Sequence, residues 1–394
     1  MITIFNLIGG FGGGSKYYNI PNAPFTSGYN RAQTGLGIAG QLRPTDVGSP
    51  AGDLDIVFTS NFTDGLSIRD FGSNKFRITN SDLWTVGGAG VKGLASLLIN
   101  NDIELYGATS TSPLIIEAGL AGNSGINWIS TVAGPTLKIQ NVIAKSADFA
   151  GLLASSSTDK EGEGIYIGNT GTTFAATDSV YIEDVFITDK GRDGLQLGHI
   201  TDIYVNRFTC YDVGKTNTSQ QDHLVQIVDS NGLIENSIFD LAPRLCNLST
   251  HGITFRNCLF VFNDASEIGF IGRTDNLVYY PTARHNGQPI LFDSCYFLDL
   301  SGNSTGALIN VQERIANVEF LNCVFDTPKS TLFQDTRVAG FTNSLVGTLT
   351  TNGNTTVSTL EQPTYMSTTL TDYDTHGLIT SPFWLNLHMG NRTR

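Results

Sequence analysis

Short apolar runs broken by a single polar turn-former recur along this chain. SVYIEDVFI (179–187), TDIYVNRFTC (201–210), NGLIENSIF (231–239) and THGITFRNCLF (250–260) share one phrase. An apolar residue is followed by one residue of any type, then a polar turn-former, then two more apolar positions. Ile182, Val205, Ile234 and Phe255 fill the first slot, and Asp184, Arg207, Asn236 and Asn257 fill the polar slot. The phrase returns as ILFDSCYF (290–297) and VEFLNCVF (318–325), with Ser294 and Asn322 in the polar slot. It also occurs earlier, in LKIQNVI (137–143), LINNDIEL (98–105) and RITNSDL (77–83).

The runs are too short for helices, are rich in Ile, Val, Leu and Phe, and lie between Gly, Asn, Asp and Ser clusters, so each reads as a strand. Their recurrence at roughly 20–30 residues predicts a solenoid in which each repeat is one rung. Cys258, Cys295 and Cys323 each fall one place after the polar slot, where other rungs carry Val142, Val185, Phe208 and Ser237. A column of compact residues in one slot is what a stacked core needs, so these thiols read as buried and reduced. Neither CxxC nor a Cys/His pair at zinc spacing occurs, and no cofactor or metal is expected.

Strands with Asn at a recurring turn resemble the right-handed parallel β-helix of pectate-lyase-like proteins, among them bacteriophage tailspikes. Asn suits such a turn because its short amide tolerates the left-handed conformation and bonds to neighbouring backbone. Stacked on successive rungs, such amides form ladders. The resemblance implies an all-β fold: a right-handed single-stranded parallel β-helix solenoid over 51–340, with non-solenoid N- and C-terminal segments. It also implies a homotrimeric virion protein, a tailspike or fibre, that joins other virion or tail subunits and binds or cleaves cell-surface polysaccharide. A free-standing polysaccharide hydrolase and a purely architectural virion component are the alternatives.

Composition narrows the partners. A formal charge of −13 disfavours a nucleic-acid backbone or an anionic membrane, and no apolar run approaches a membrane-spanning length. MITIFNLIGGFGGGSKYY has no basic region ahead of its apolar residues, so no export signal is read there. An odd count of five cysteines fits a reducing compartment. Together these point to a chain made in a reducing cytoplasm, and the resemblance then implies carriage in a virion or phage-like particle, with an extracellular enzyme as the alternative.

Residues 1–50 join an apolar piece to a glycine run and then to aromatics, and read as either a particle-docking arm or a cap on the first rung. DFAGLLASSSTDKEGE (148–163) breaks the apolar pattern and reads as a loop leaving the solenoid. From 341 to 394 the chain turns to Thr, Ser and Asn, which reads as a β segment stabilised by copies of itself and suited to oligomerisation.

The candidate chemistry lies in a second column. EGIYIG, DGLQLG, DHLVQI and EIGFIG open with Glu163, Asp193, Asp222 and Glu267. Asp193 and Asp222 stand equally far ahead of Arg207 and Asn236, so they are expected to stack in register. Adjacent rungs about 4.7–4.9 Å apart would bring such carboxylates near the roughly 5–5.5 Å of a retaining glycosidase pair. Glu163 and Asp222, two rungs apart, would approach the roughly 6.5–9.5 Å of an inverting pair. If the chain is an enzyme, Asp193, Asp222 and Glu163 are its catalytic candidates as a glycoside hydrolase. The competing reading is that Asp-Gly pairs start strands simply because they make turns. His199, His223 and Glu267, with Arg273, Tyr279, Tyr280, Arg284 and the neighbouring His285 in the 264–289 stretch, are the candidate glycan contacts. The resemblance to polygalacturonases is an echo: QDH (221–223) stands where a paired Asp motif would, and GHI (198–200) lacks the second Gly.

Overall fold

The computed structural model describes the strand segments 16–20, 40–42, 54–58, 66–68, 76–80, 83–86 and 94–96, and much of 103–357. Within the latter it describes 103–107, 114–118, 126–128, 136–146, 164–167, 177–190, 193–213, 223–240, 244–250, 252–262, 270–271, 288–299, 304–312, 317–336 and 349–357. Here the chain is all-β, with parallel strands in a strongly curled arrangement of two sheets of nineteen and eleven strands.

The chain alternates between the sheets. Thr177–Lys190 lies in the first, Leu195–Gly198 in the second, Ile200–Val213 in the first and His223–Val228 in the second. Parallel neighbours cannot be joined by a hairpin and need a crossover. In this chain the strand of the opposite sheet is that crossover. Successive passes stack in register: Ile182 pairs with Val205, Val205 with Ile234, Ile234 with Phe255 and Phe255 with Phe292.

The recurring polar slot is the structural punctuation the sequence suggests. Asn141, Asp184, Arg207, Asn236, Asn257, Ser294 and Asn322 all have φ between 51° and 59°. A left-handed residue there turns the strand so that apolar side chains on both sides of it face one interior. The amides ladder where they are adjacent. Asn257 Nδ2 donates to Asn236 Oδ1 at 2.8 Å, and Asn236 Nδ2 donates to Asn206 Oδ1 at 2.9 Å. Arg207 occupies the slot on the next pass, and the neighbouring Asn206 takes over the ladder.

Ile182, Val205, Ile234, Phe255, Phe292 and Phe320 line the interior from the first sheet, and Leu195, Leu197, Val225 and Ile227 from the second, in one cluster of buried residues. Two phenylalanine columns run through it. Phe255, Phe292 and Phe320 stack at 5.0 and 4.7 Å, and Phe239, Phe260, Phe297 and Phe325 at 5.1, 5.0 and 5.0 Å. Cys258, Cys295 and Cys323 are buried, as their slot predicts, and Cys210 and Cys246 are buried too; none of the five forms a disulfide.

Parallel pairing also lies on both sides of 51–340. Lys16–Ile20 pairs with Leu54–Phe58, and Leu349–Asn352 and Thr355–Val357 pair with Val318–Leu321 and Val324–Asp326. Threonine-rich composition disguised that last pass, yet a β-branched Thr fits a strand as readily as Val. Phe270–Ile271 is a second-sheet strand within the 264–289 stretch. The 148–163 loop lies outside the described residues.

Candidate functional site

Asp193, His199 and His223 are the sequence candidates among the described residues. Glu163, Asp222, Glu267, Arg273, Tyr279, Tyr280, Arg284 and His285 lie outside them. Leu195 is in register with Val225, so the residue in line with Asp193 is His223, one place on from Asp222. Asp193 Oδ1 accepts from the His223 backbone N–H at 2.7 Å and lies 3.2 Å from its Nδ1. Neither side chain meets solvent: Asp193 is 0% and His223 1% exposed.

The glycine after Asp193 has a packing cause. A Cβ on Gly194 would sit 2.0 Å from Cys210 Sγ and 2.8 Å from the Leu224 carbonyl oxygen. Gly164 is confined in the same way by Ile187 and the Gly194 carbonyl. The Asp-Gly opening of the second-sheet strand thus marks a close backbone approach.

His199 makes a matching contact at the other end of the strand. Its Nδ1 lies 3.0 Å from Asp229 Oδ2, both residues are buried, and both have left-handed backbone, with φ 57° and 43°. Asp193 and His199 bracket Leu195–Gly198, while His223 opens and Asp229 follows His223–Val228. Each end of this strand pair therefore carries a buried His–Asp contact, with the acid and imidazole exchanged between ends. Ser230 and Thr250 finish the corner: Ile200 N–H donates to Ser230 Oγ at 3.0 Å, and Ser230 N–H donates to Thr250 Oγ1 at 2.8 Å.

Exposed chemistry lies instead on the outer face of the first sheet. Lys138, Tyr181, Tyr204, Leu233 and Thr254 form one register row, and Gln140, Glu183, Asn206, Glu235, Arg256 and Asp293 form the next. The Tyr181 and Tyr204 rings are tilted by 53° with centroids 6.4 Å apart, and Lys138 Nζ lies 5.9 Å from the Tyr181 centroid. Tyr181, at 36%, is the large hydrophobic residue that stands exposed among the described residues.

The carboxylates on this face are oriented from below and from the side. Arg207 Nη2 donates to Glu183 Oε1 at 2.6 Å, while its Nε and Nη2 donate to Asp184 at 2.6 Å each. The Asp184 bonds raise the Arg207 pKa above its ordinary value, against a desolvation effect in the other direction. Asn206 Nδ2 and Gln140 Nε2 donate to the two Glu183 oxygens at 3.2 and 3.3 Å. The Tyr204 hydroxyl donates to Glu235 Oε1 at 3.1 Å. Partial burial first, and this acid second, push the Tyr204 pKa up.

This row was visible in the strings YIED and YVNR. Once Ile182 and Val205 are taken as inward, the two-residue period of a strand turns Tyr181, Glu183, Tyr204 and Asn206 outward. Asp229 lacked any such signal, because its partner is 30 residues away on the next pass. Among the described residues no group of three or more His, Cys, Asp or Glu is arranged to hold a metal ion.

No family model, curated protein or solved structure matches this chain.

Proposed function

We propose that this chain is a right-handed single-stranded parallel β-helix serving as a spike or fibre component of a phage or phage-like particle, where it contacts cell-surface glycan. The observation that carries this reading is the in-register parallel stacking from Lys16–Ile20 through Thr355–Val357, filled between Leu105 and Phe325 by one cluster of buried apolar residues. Such stacking builds a stiff body whose surface is the outer faces of its sheets, which suits a protein that projects from a particle and presents binding groups along its length. The right hand follows from the strong preference of parallel crossovers. Light scattering on the purified full-length chain is expected to give three times the chain mass, and a stable monomer would count against the particle assignment.

A purely architectural component is the second reading. The mutual bonding of Glu183, Asp184 and Arg207 favours it, because these charges already satisfy one another. A glycan array separates the two, since the architectural protein retains no glycan.

A further inference from the structure

We propose that the outer face of the first sheet around Tyr181 and Tyr204 is a binding site for an uncharged glycan, with Glu183 and Glu235 accepting hydrogen bonds from sugar hydroxyls. This rests on the glycan-binding reading above and commits it to one face and one ligand class.

Three features select the ligand. The exposed Tyr181 ring and the half-buried Tyr204 ring lie on adjacent strands, tilted by 53° with centroids 6.4 Å apart, and form an aromatic notch. A notch of this kind receives the apolar C–H face of a sugar ring. Glu183 and Glu235 flank Asn206 in the adjacent register row, so their carboxylates lie on alternate strands beside the rings. Each carboxylate has about four lone-pair positions, and their side chains keep 35% and 20% of their surface exposed. Arg207, Asn206 and Gln140 hold Glu183, and the Tyr204 hydroxyl holds Glu235, so the acceptors are positioned before a ligand arrives. Acceptors fixed in advance reduce the ordering cost of binding.

Charge disfavours polyanions. Glu183, Asp184 and Glu235 lie beside the rings, and the cations on this face are engaged: Lys138 over the Tyr181 ring, Arg207 with Glu183 and Asp184, and Arg256 near Glu235 and Asp293. On a chain of net charge −13, the long-range field disfavours sulfated, sialylated and uronate polymers. A hydroxyl-rich neutral chain supplies the donors that carboxylates require and an apolar face for the rings.

The test is a glycan array followed by titration calorimetry on the full-length chain. It compares wild type with Tyr181→Thr, Glu235→Gln and a control, Thr350→Ala, which changes an exposed residue far along the same register row. Threonine at 181 keeps a strand-favouring side chain, and a thermal melt checks that each variant folds. Wild type is expected to bind neutral glycans, with Tyr181→Thr and Glu235→Gln each weakening affinity about tenfold or more and Thr350→Ala leaving it unchanged. Hydrogen exchange on wild type, which needs no substitution, is expected to show added protection in 177–190 and 200–213 when the glycan is present. Wild-type binding that neither variant weakens, with no protection in those strands, would overturn the site while leaving glycan binding intact. Selective retention of acidic glycans would overturn the ligand class. Retention of no glycan would remove both the site and the glycan-binding reading.

Discussion

Seven non-glycine residues hold left-handed backbone at one repeated position, and each carries a conformational cost of about 1–2 kcal/mol. Where amides are adjacent, the Asn257–Asn236–Asn206 bonds offset part of it. Asn236→Ala should therefore lower stability more than Asn236→Gly, since Ala keeps the strain and loses the ladder, whereas Gly loses only the ladder. Thermal unfolding midpoints of the two variants check this, and equal losses would mean that the backbone conformation contributes nothing to the difference. Gly353 fills the equivalent place on the last described pass, with φ 66° and only 2.5 Å from an added Cβ to Asn322 Oδ1. The polar slot was legible without coordinates because one local chemistry, tolerance of positive φ, acts at every repeat. The thiols obey a second local rule. Burial pushes the Cys246 and Cys295 pKa values upward, so neither thiol ionises in the folded chain at the pH where an unfolded one does. The folded state then holds more protons, and stability falls as pH rises past the ordinary thiol value of about 8.5. Below that pH this contribution is constant. Iodoacetamide at pH 8 should label no cysteine in the native chain and all five after denaturation.

Strands Leu195–Gly198 and His223–Val228 are pinned at both ends by His–Asp contacts that no single stretch of sequence displays. Spacing alone left the acids ahead of the second-sheet strands open between a catalytic column and simple turn-formers, because sequence does not report which face a corner residue takes. The structure puts Asp193 fully inside, and the offset to His223 depends on how one extra residue is absorbed at the corner. The extra residue sits in the corner after Gly198: Gly198 pairs with Val228, yet Ile203 pairs with Gly232, so this corner is one residue longer than the corner after Val228. By contrast, the outward row of Tyr181 and Tyr204 follows from strand alternation and was legible once the inward slot was known. Leaving a buried hydrogen-bonding group without its partner typically costs about 1–3 kcal/mol, so His223→Ala and Asp193→Ala should each destabilise. In the double variant the losses should fall well short of additive. A denaturation-based double-mutant cycle measures the coupling, and simple additivity would mean that the pair does not act as a unit.

At the scale of the whole molecule, each pass touches only its neighbours, so the stability of a long stack is a chain of nearest-neighbour terms. Phe292 tests that view because its contacts are known on both sides. It stacks on Phe255 at 5.0 Å and on Phe320 at 4.7 Å, and meets Phe260 and Phe297 edge-on at 5.8 Å each. Truncating a buried Phe costs about 3–5 kcal/mol through lost transfer energy and the cavity left behind, and aromatic pairs add about 0.5–1.5 kcal/mol beyond burial. In a compact core shared by every element, such a loss would lower protection everywhere. In a stack it should stay local. For Phe292→Ala, hydrogen exchange is expected to accelerate in 253–262, 290–299 and 318–326 and to remain at wild-type rates in 177–190, four passes away. Uniform acceleration across all four segments would show that the curled sheets unfold as one cooperative unit. The interior columns end in a way that fits local coupling: Thr351 and Thr356 stand in register with the buried Phe320 and Phe325, yet both are exposed. Among the described residues, both phenylalanine columns thus change to threonine on this pass, and the polar side chains at these positions meet water.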